Sequence, residues 1–92
     1  MSNYRRPVDE AMDSIISRAE NNETRVMFEG NEAKSALRRL RTLRIVRDRY
    51  AHDISVEVRS SCTDKYLVES LREVANDLNR RMSNLSKHVV RS

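Results

Sequence analysis

The chain has 92 residues and a net charge of +4, and 35% of its residues are charged while 38% are hydrophobic. This length favours a single domain over residues 1–92, and one cysteine excludes an intramolecular disulfide. The sequence contains no apolar run long enough to span a bilayer or to form a secretory signal. We therefore expect a cytoplasmic protein that has no membrane partner.

The first predicted element is a helix that follows a flexible arm at residues 1–6. Pro7 suits a first helical position because its missing N–H is not needed there. Apolar residues recur at helical spacing as far as Ala19, and Asn21-Asn22 ends the helix. Residues 24–28 then show the alternation of a short strand.

The middle of the chain predicts a second helix and a second strand. Gly30 interrupts the first strand, and Asn31 is a candidate N-cap for a helix that ends near His52. Residues 54–60 alternate more cleanly, which is typical of a half-buried strand. The residues predicted to point inward are Ile54, Val56 and Val58.

The last predicted element is a long helix from Asp64 to about Val89, capped by Thr63 or Ser61. Its apolar residues step by three or four positions and form one stripe. They are Leu67, Leu71, Val74, Leu78, Met82, Leu85 and Val89. Acids come early in this helix and bases late, so compensation of the helix dipole is a sufficient reason for its basic residues.

Two strands joined by a long helix predict a βαβ unit. We expect an α+β fold in the order α-β-α-β-α, with a small two-stranded sheet covered by the amphipathic first and third helices. A two-stranded sheet is marginal on its own, and a second copy could complete it. Because the core is small and the third helix is long, we expect a homodimer.

The helix from Asn31 to His52 carries six arginines between residues 38 and 49, opposed by one acid. On a projection with about 100° per residue, most of the bases cluster opposite the apolar face. The predicted contact face consists of Lys34, Arg38, Arg41, Arg44, Ile45 and Arg49, with Arg5 and Arg6 as a basic arm. Arg39, Arg44 and Arg47 lie at the borders of this face or nearer the core.

Compensation of the helix dipole accounts poorly for this helix, because its arginines are in the middle and the dipole acts within about one turn of each end. Acids of the same chain could instead cover the face, and the candidates are Glu20, Glu23, Glu29 and Glu57. A codon-usage bias would also produce the excess of arginine over lysine. Both of these origins stay open beside a role in binding.

We interpret the chain as a small basic nucleic-acid-binding protein of accessory or regulatory type, with DNA favoured over RNA. The alternative is a protein-interaction module or inhibitor that docks the Arg/Ile face onto an acidic partner protein. The short, arginine-rich format would suit a phage or mobile-element protein. No helix-turn-helix, zinc-finger, KH or RRM signature supports a particular binding motif.

Chemistry-bearing residues are few. His52 with Asp53 closes the predicted helix, where a histidine interacts well with the helix dipole. Cys62 and His52 could in principle act as nucleophile and base, but a structural cysteine is the better interpretation. The sequence offers no metal-ligand set and no glycine-rich phosphate loop. We therefore expect no cofactor, no metal and no enzymatic activity.

Overall fold

The computed structural model describes residues 7–90, with side chains from residue 11 onward, and this part of the chain contains three helices. α1 spans Pro7–Glu20, α2 spans Asn31–Arg59 and α3 spans Lys65–Lys87. No strand occurs within residues 7–90, so the predicted α+β fold with a two-stranded sheet is wrong. The described chain is all-α.

The predicted strand over 54–60 is the last part of α2 instead. Isoleucine and valine disfavour a helix by only a few tenths of a kcal/mol each, and residues 31–59 contain no glycine or proline that would stop helix propagation. In the helix Ile54 is half-buried, while Val56 and Val58 are exposed. The expected inward position of the two valines is therefore also wrong.

The other predicted strand, residues 24–28, is irregular except for one parallel bridge between Phe28 and Val89. The Phe28 N–H donates to the His88 carbonyl at 2.6 Å, and the Val90 N–H donates to the Phe28 carbonyl at 2.9 Å. His88 Nδ1 lies 2.9 Å from the Val26 carbonyl oxygen, so this nitrogen carries the proton. These hydrogen bonds attach the segment after α3 to the α1–α2 linker, and Phe28 of the linker is fully buried.

α2 and α3 form a hairpin joined by residues 60–64, and they run antiparallel because the connection is so short. α1 packs mainly against α3. The buried cluster joins α1, the linker, the first half of α2 and the second half of α3. Its members are Ile16, Ala19, Phe28, Ala36, Leu43, Leu78, Leu85 and Val89.

The hairpin extends well beyond this cluster. The longest dimension of the structure is 49 Å, and its radius of gyration is 16.2 Å. A compact chain of this length has a radius of gyration of about 12 Å. α2 alone is about 43 Å long at 1.5 Å per residue, so one helix sets the length of the molecule.

The helix ends differ in part from those predicted. Pro7 begins α1 and a turn at Asn21-Asn22 ends it, as expected. Asn31 does not cap α2; Gly30 takes that position with a φ of 60°, which glycine adopts without strain. Asp64, not Thr63 or Ser61, caps α3 by accepting the N–H groups of Tyr66 and Leu67. α3 ends at Lys87, so Val89 lies beyond its apolar stripe.

Candidate nucleic-acid interface

The outward face of α2 carries a row of exposed basic residues. Leu43, which is buried in the core, marks the opposite side of the helix. Measured from Leu43 at about 100° per residue, this row occupies a sector from about 160° to 240°. Its members from the sequence prediction are Lys34, Arg38, Arg41, Ile45 and Arg49, and all five are exposed. We call this row the basic stripe.

The basic stripe has no carboxylate within its sector. The nearest acids of α2 are Asp48 and Asp53, which project just outside the two edges. Asp48 is held by Arg47 through a 2.8 Å ion pair, and Asp53 makes no ion pair with Arg49 one turn earlier. Within residues 11–90, the four cations of the stripe have no hydrogen bond or ion pair to another side chain. No carboxylate of the described residues therefore balances their charge.

Arg39 behaves differently, because it projects towards α1. Its guanidinium lies 2.9 Å from the Glu20 carboxylate and 3.6 Å from that of Asp13. The Glu20 side chain is only 5% exposed. Arg39 therefore holds α1 on α2. Of the four acids that could have covered the basic face, Glu20 alone forms an ion pair within the described residues, and its partner lies outside the stripe.

The two remaining arginines of the predicted helix face α3. Arg47 donates to the Asn79 side-chain oxygen at 3.1 Å and is half-buried. Arg44, which was assigned to the contact face, is exposed and lines a groove between α2 and α3. Arg41 lines the same groove and also belongs to the basic stripe. The structure thus divides the predicted set into two surfaces that meet at Arg41.

Two of the five basic residues of α3, Arg80 and Arg81, form ion pairs, whereas none of the stripe cations does so within the described residues. Arg80 and Arg81 both approach Asp77, at 2.6 Å and 2.8 Å. The hydrogen bond from Arg80, assisted by the charge of Arg81, lowers the pKa of the Asp77 carboxyl below its ordinary value. These pairs lie about two turns before the end of α3, so local ion pairing rather than compensation of the helix dipole accounts for Arg80 and Arg81.

Sequence reasoning missed the continuation of the basic stripe. Because α2 runs on to Arg59, three further exposed residues fall in the same sector, namely His52, Val56 and Arg59. His52 is thus a mid-helix residue of the stripe, and the prediction that it closes the helix is wrong. The signal that could have found them is the lack of any helix-breaking residue after Tyr50. From Lys34 to Arg59 the stripe is about 37 Å long.

The residues outside the stripe that could ligate a metal or act as a nucleophile do not form a cluster among the described side chains. Cys62 is an exposed free thiol in the hairpin loop. Among the described side chains, no three His, Cys, Asp or Glu residues are grouped closely enough to hold a metal ion. None of the described helices is both long and apolar enough to pass through a lipid bilayer. Arg5 and Arg6 lie outside the described residues.

No protein-family model, curated protein or solved structure matches the chain.

Proposed function

We propose that the protein binds nucleic acid through the outward face of α2. The observation that carries the proposal is a row of five exposed cations, without an acid in their sector and without a partner among the described side chains. They are Lys34, Arg38, Arg41, Arg49 and Arg59. Such a row repels itself unless a strong anion lies against it, and a phosphate backbone is an anion of matching length.

DNA is the favoured target on geometric grounds. The major groove of B-form DNA is about 12 Å wide and admits one α-helix, whereas the major groove of A-form RNA is deep and narrow. The exposed side of α2 faces away from the other described helices, so a duplex can approach it without meeting them. Arginine guanidinium groups would then pair with phosphates or with guanine edges. This is binding without catalysis or a cofactor.

A direct binding measurement tests this function. We expect the protein to bind a random-sequence duplex at low salt and to lose affinity steeply as salt rises. Replacing Arg38 and Arg41 together by glutamate should abolish binding and leave the helical circular dichroism spectrum unchanged, since both side chains are exposed. The proposal fails if the wild-type protein binds neither DNA nor RNA at low salt.

An acidic partner protein is the second candidate, because the stripe also carries apolar side chains that phosphate does not need. Ile45 is 58% exposed and Val56 is 56% exposed, and both lie among the bases. Under this candidate Ile45→Glu weakens binding more than any single arginine change, and nucleic acid does not compete. Capture from nuclease-treated and untreated lysate separates the two, since a protein partner survives nuclease and a nucleic acid does not.

The homodimer and the cytoplasmic location belong to the same proposal. Apolar side chains remain exposed at the far end of the hairpin, where the buried cluster does not reach, and they include Val58, Leu67 and Val74. A second copy covering them would add the apolar burial that a short chain needs. Light scattering after gel filtration measures the mass directly, and a monomer at all concentrations contradicts the dimer.

A further inference from the structure

The groove between α2 and α3 lies beside the basic stripe and has its own chemistry. It is an open depression with a volume of about 580 Å³. Its lining is partly apolar and partly polar, and α2 and α3 each contribute three polar residues. The apolar residues are Leu37, Leu40 and Met82, and the polar residues are Arg41, Arg44, Arg47, Asn79, Ser83 and Ser86. No carboxylate lines the groove. Arg39, which binds α1, projects about 140° away from Arg44, so the groove and α1 lie on different sides of α2.

Two internal hydrogen bonds connect polar residues of the groove and leave other donor groups of the lining without a protein partner. The Arg47 Nη1–H donates to Asn79 Oδ1 at 3.1 Å, which leaves the Asn79 amino group free to donate into the groove. The charge of Arg47 itself is balanced by Asp48. Ser86 Oγ–H donates to the Ser83 carbonyl at 2.9 Å. Within the described residues, the Arg41 and Arg44 guanidinium groups, the Asn79 amino group and the Ser83 hydroxyl therefore have no acceptor.

We propose that this groove is a phosphate site, and that it holds one backbone phosphate of the nucleic acid bound by the stripe. Four exposed donor groups without a partner among the described residues, two of them cationic, line a groove that has no acid in its lining. Phosphate oxygens are acceptors that fit such donors. The apolar part of the lining offers contact for the sugar attached to the phosphate. Arg41 belongs to both surfaces, so a strand can cross from the stripe into the groove without leaving basic surface. This inference rests on the proposed nucleic-acid function for the source of the phosphate, while the site itself would also take a free phosphate group.

The groove can be tested without changing the stripe. Arg44→Gln removes one phosphate contact, so the slope of log affinity against log salt should become shallower by about 0.9. At 0.1 M salt this corresponds to a loss of about eightfold by the same relation. Ser83→Ala should weaken binding at constant slope, because it removes a donor without a charge. Arg44→Lys should restore the slope and not the full affinity, since lysine keeps the charge and loses the paired donors.

Arg18→Gln is the matched control, because it removes the same charge from an exposed position on α1. It should change the slope by much less than Arg44→Gln. The phosphate site is wrong if the wild-type protein binds DNA and the three variants Arg44→Gln, Ser83→Ala and Arg18→Gln all have the same affinity and the same salt slope. The proposed function would be unaffected by that result.

A second measurement separates the sources of the phosphate. In an NMR titration, the Asn79 side-chain amide and the Arg44 Nε–H signals should shift with a DNA duplex, and with inorganic phosphate at higher concentration. If inorganic phosphate shifts both signals while no nucleic acid binds, the phosphate site holds and the proposed function fails. If neither inorganic phosphate nor DNA moves either signal, the phosphate site is wrong.

Discussion

The salt dependence of DNA binding is the quantity that the basic stripe predicts most directly. Each phosphate neutralised by a cation contributes about −0.9 to the slope of log affinity against log salt on B-form DNA. If Lys34, Arg38, Arg41, Arg49 and Arg59 each neutralise one phosphate, the slope is about −4.5. Raising the salt from 50 to 200 mM then weakens binding by about 500-fold.

Replacing Arg38 and Arg41 by glutamine leaves three of these contacts. The slope should become about −2.7, and the same change in salt should weaken binding only about 40-fold. Glutamine has nearly the helix propensity of arginine, so α2 should keep its stability. The assay is fluorescence anisotropy of a labelled random-sequence duplex, measured at several salt concentrations, with thermal melts of each variant as a check on folding.

The matched control is the double change Arg18→Gln and Arg25→Gln, which removes two charges from exposed positions outside α2. If net charge alone drives binding, both double variants lose affinity equally. If the stripe is the contact, only the Arg38/Arg41 variant loses nearly two units of slope. Equal slopes for the two variants would refute the assignment of binding to this face.

Three further predictions concern the scaffold. Phe28→Ala should lower the free energy of unfolding by about 3–5 kcal/mol in urea denaturation, because Phe28 is fully buried. The control is Tyr66→Ala, at an aromatic residue that is 84% exposed, which should change this free energy by less than about 0.5 kcal/mol. Arg39→Met should lower the free energy of unfolding by about 2 kcal/mol, because it leaves the Glu20 carboxylate buried without its partner. The loss is moderate because the Arg39 side chain is 29% exposed. Arg49→Met, at an exposed arginine, is the control for loss of charge. The pKa of Asp77 is lowered by the hydrogen bond from Arg80, so its stabilising effect is present above its ordinary pKa and is lost as pH falls through the lowered value. As the pH is lowered from about 6 to about 2, the melting temperature should therefore fall more steeply for the wild-type protein than for Asp77→Asn. Identical dependence of the two melting temperatures on pH would contradict a role for the Asp77–Arg80 pair.

The first and third helices could be predicted from the sequence because each repeats its apolar spacing over several turns. Neither depends on contacts that only the folded chain reveals. The second half of α2 could not be assigned in this way, because Ile54, Val56 and Val58 alternate over a window too short to separate a helix from a strand. The deciding fact was a missing signal, namely that neither glycine nor proline interrupts residues 31–59.

The strand predicted at 24–28 failed for a different reason. Phe28 does lie in an extended segment, but its partner is Val89, which follows α3 by two residues. The periodicity of α3 had assigned Val89 to the helix, so nothing in the sequence pattern marked it as a partner for the linker. This contact joins residues that are 61 positions apart (89 − 28), and local patterns carry no information on pairings of that range.

The grouping of Lys34, Arg38, Arg41, Ile45 and Arg49 on one face of α2 did not require the correct fold class, because it depends on the helix period alone. Which residues share a face follows from about 100° per step, whether the helix packs against a sheet or against α3. The correction of the fold also lengthens the proposed contact face. A helix ending at His52 presents bases from Lys34 to Arg49 over about 22 Å, whereas α2 presents them to Arg59 over about 37 Å. One turn of B-form DNA rises about 34 Å, so a helix lying along a duplex would place the longer stripe beside about one turn and the shorter stripe beside about two thirds of a turn. A partner that engages Arg59 as strongly as Arg38 must therefore be an extended anion, which favours a duplex over a small acidic ligand.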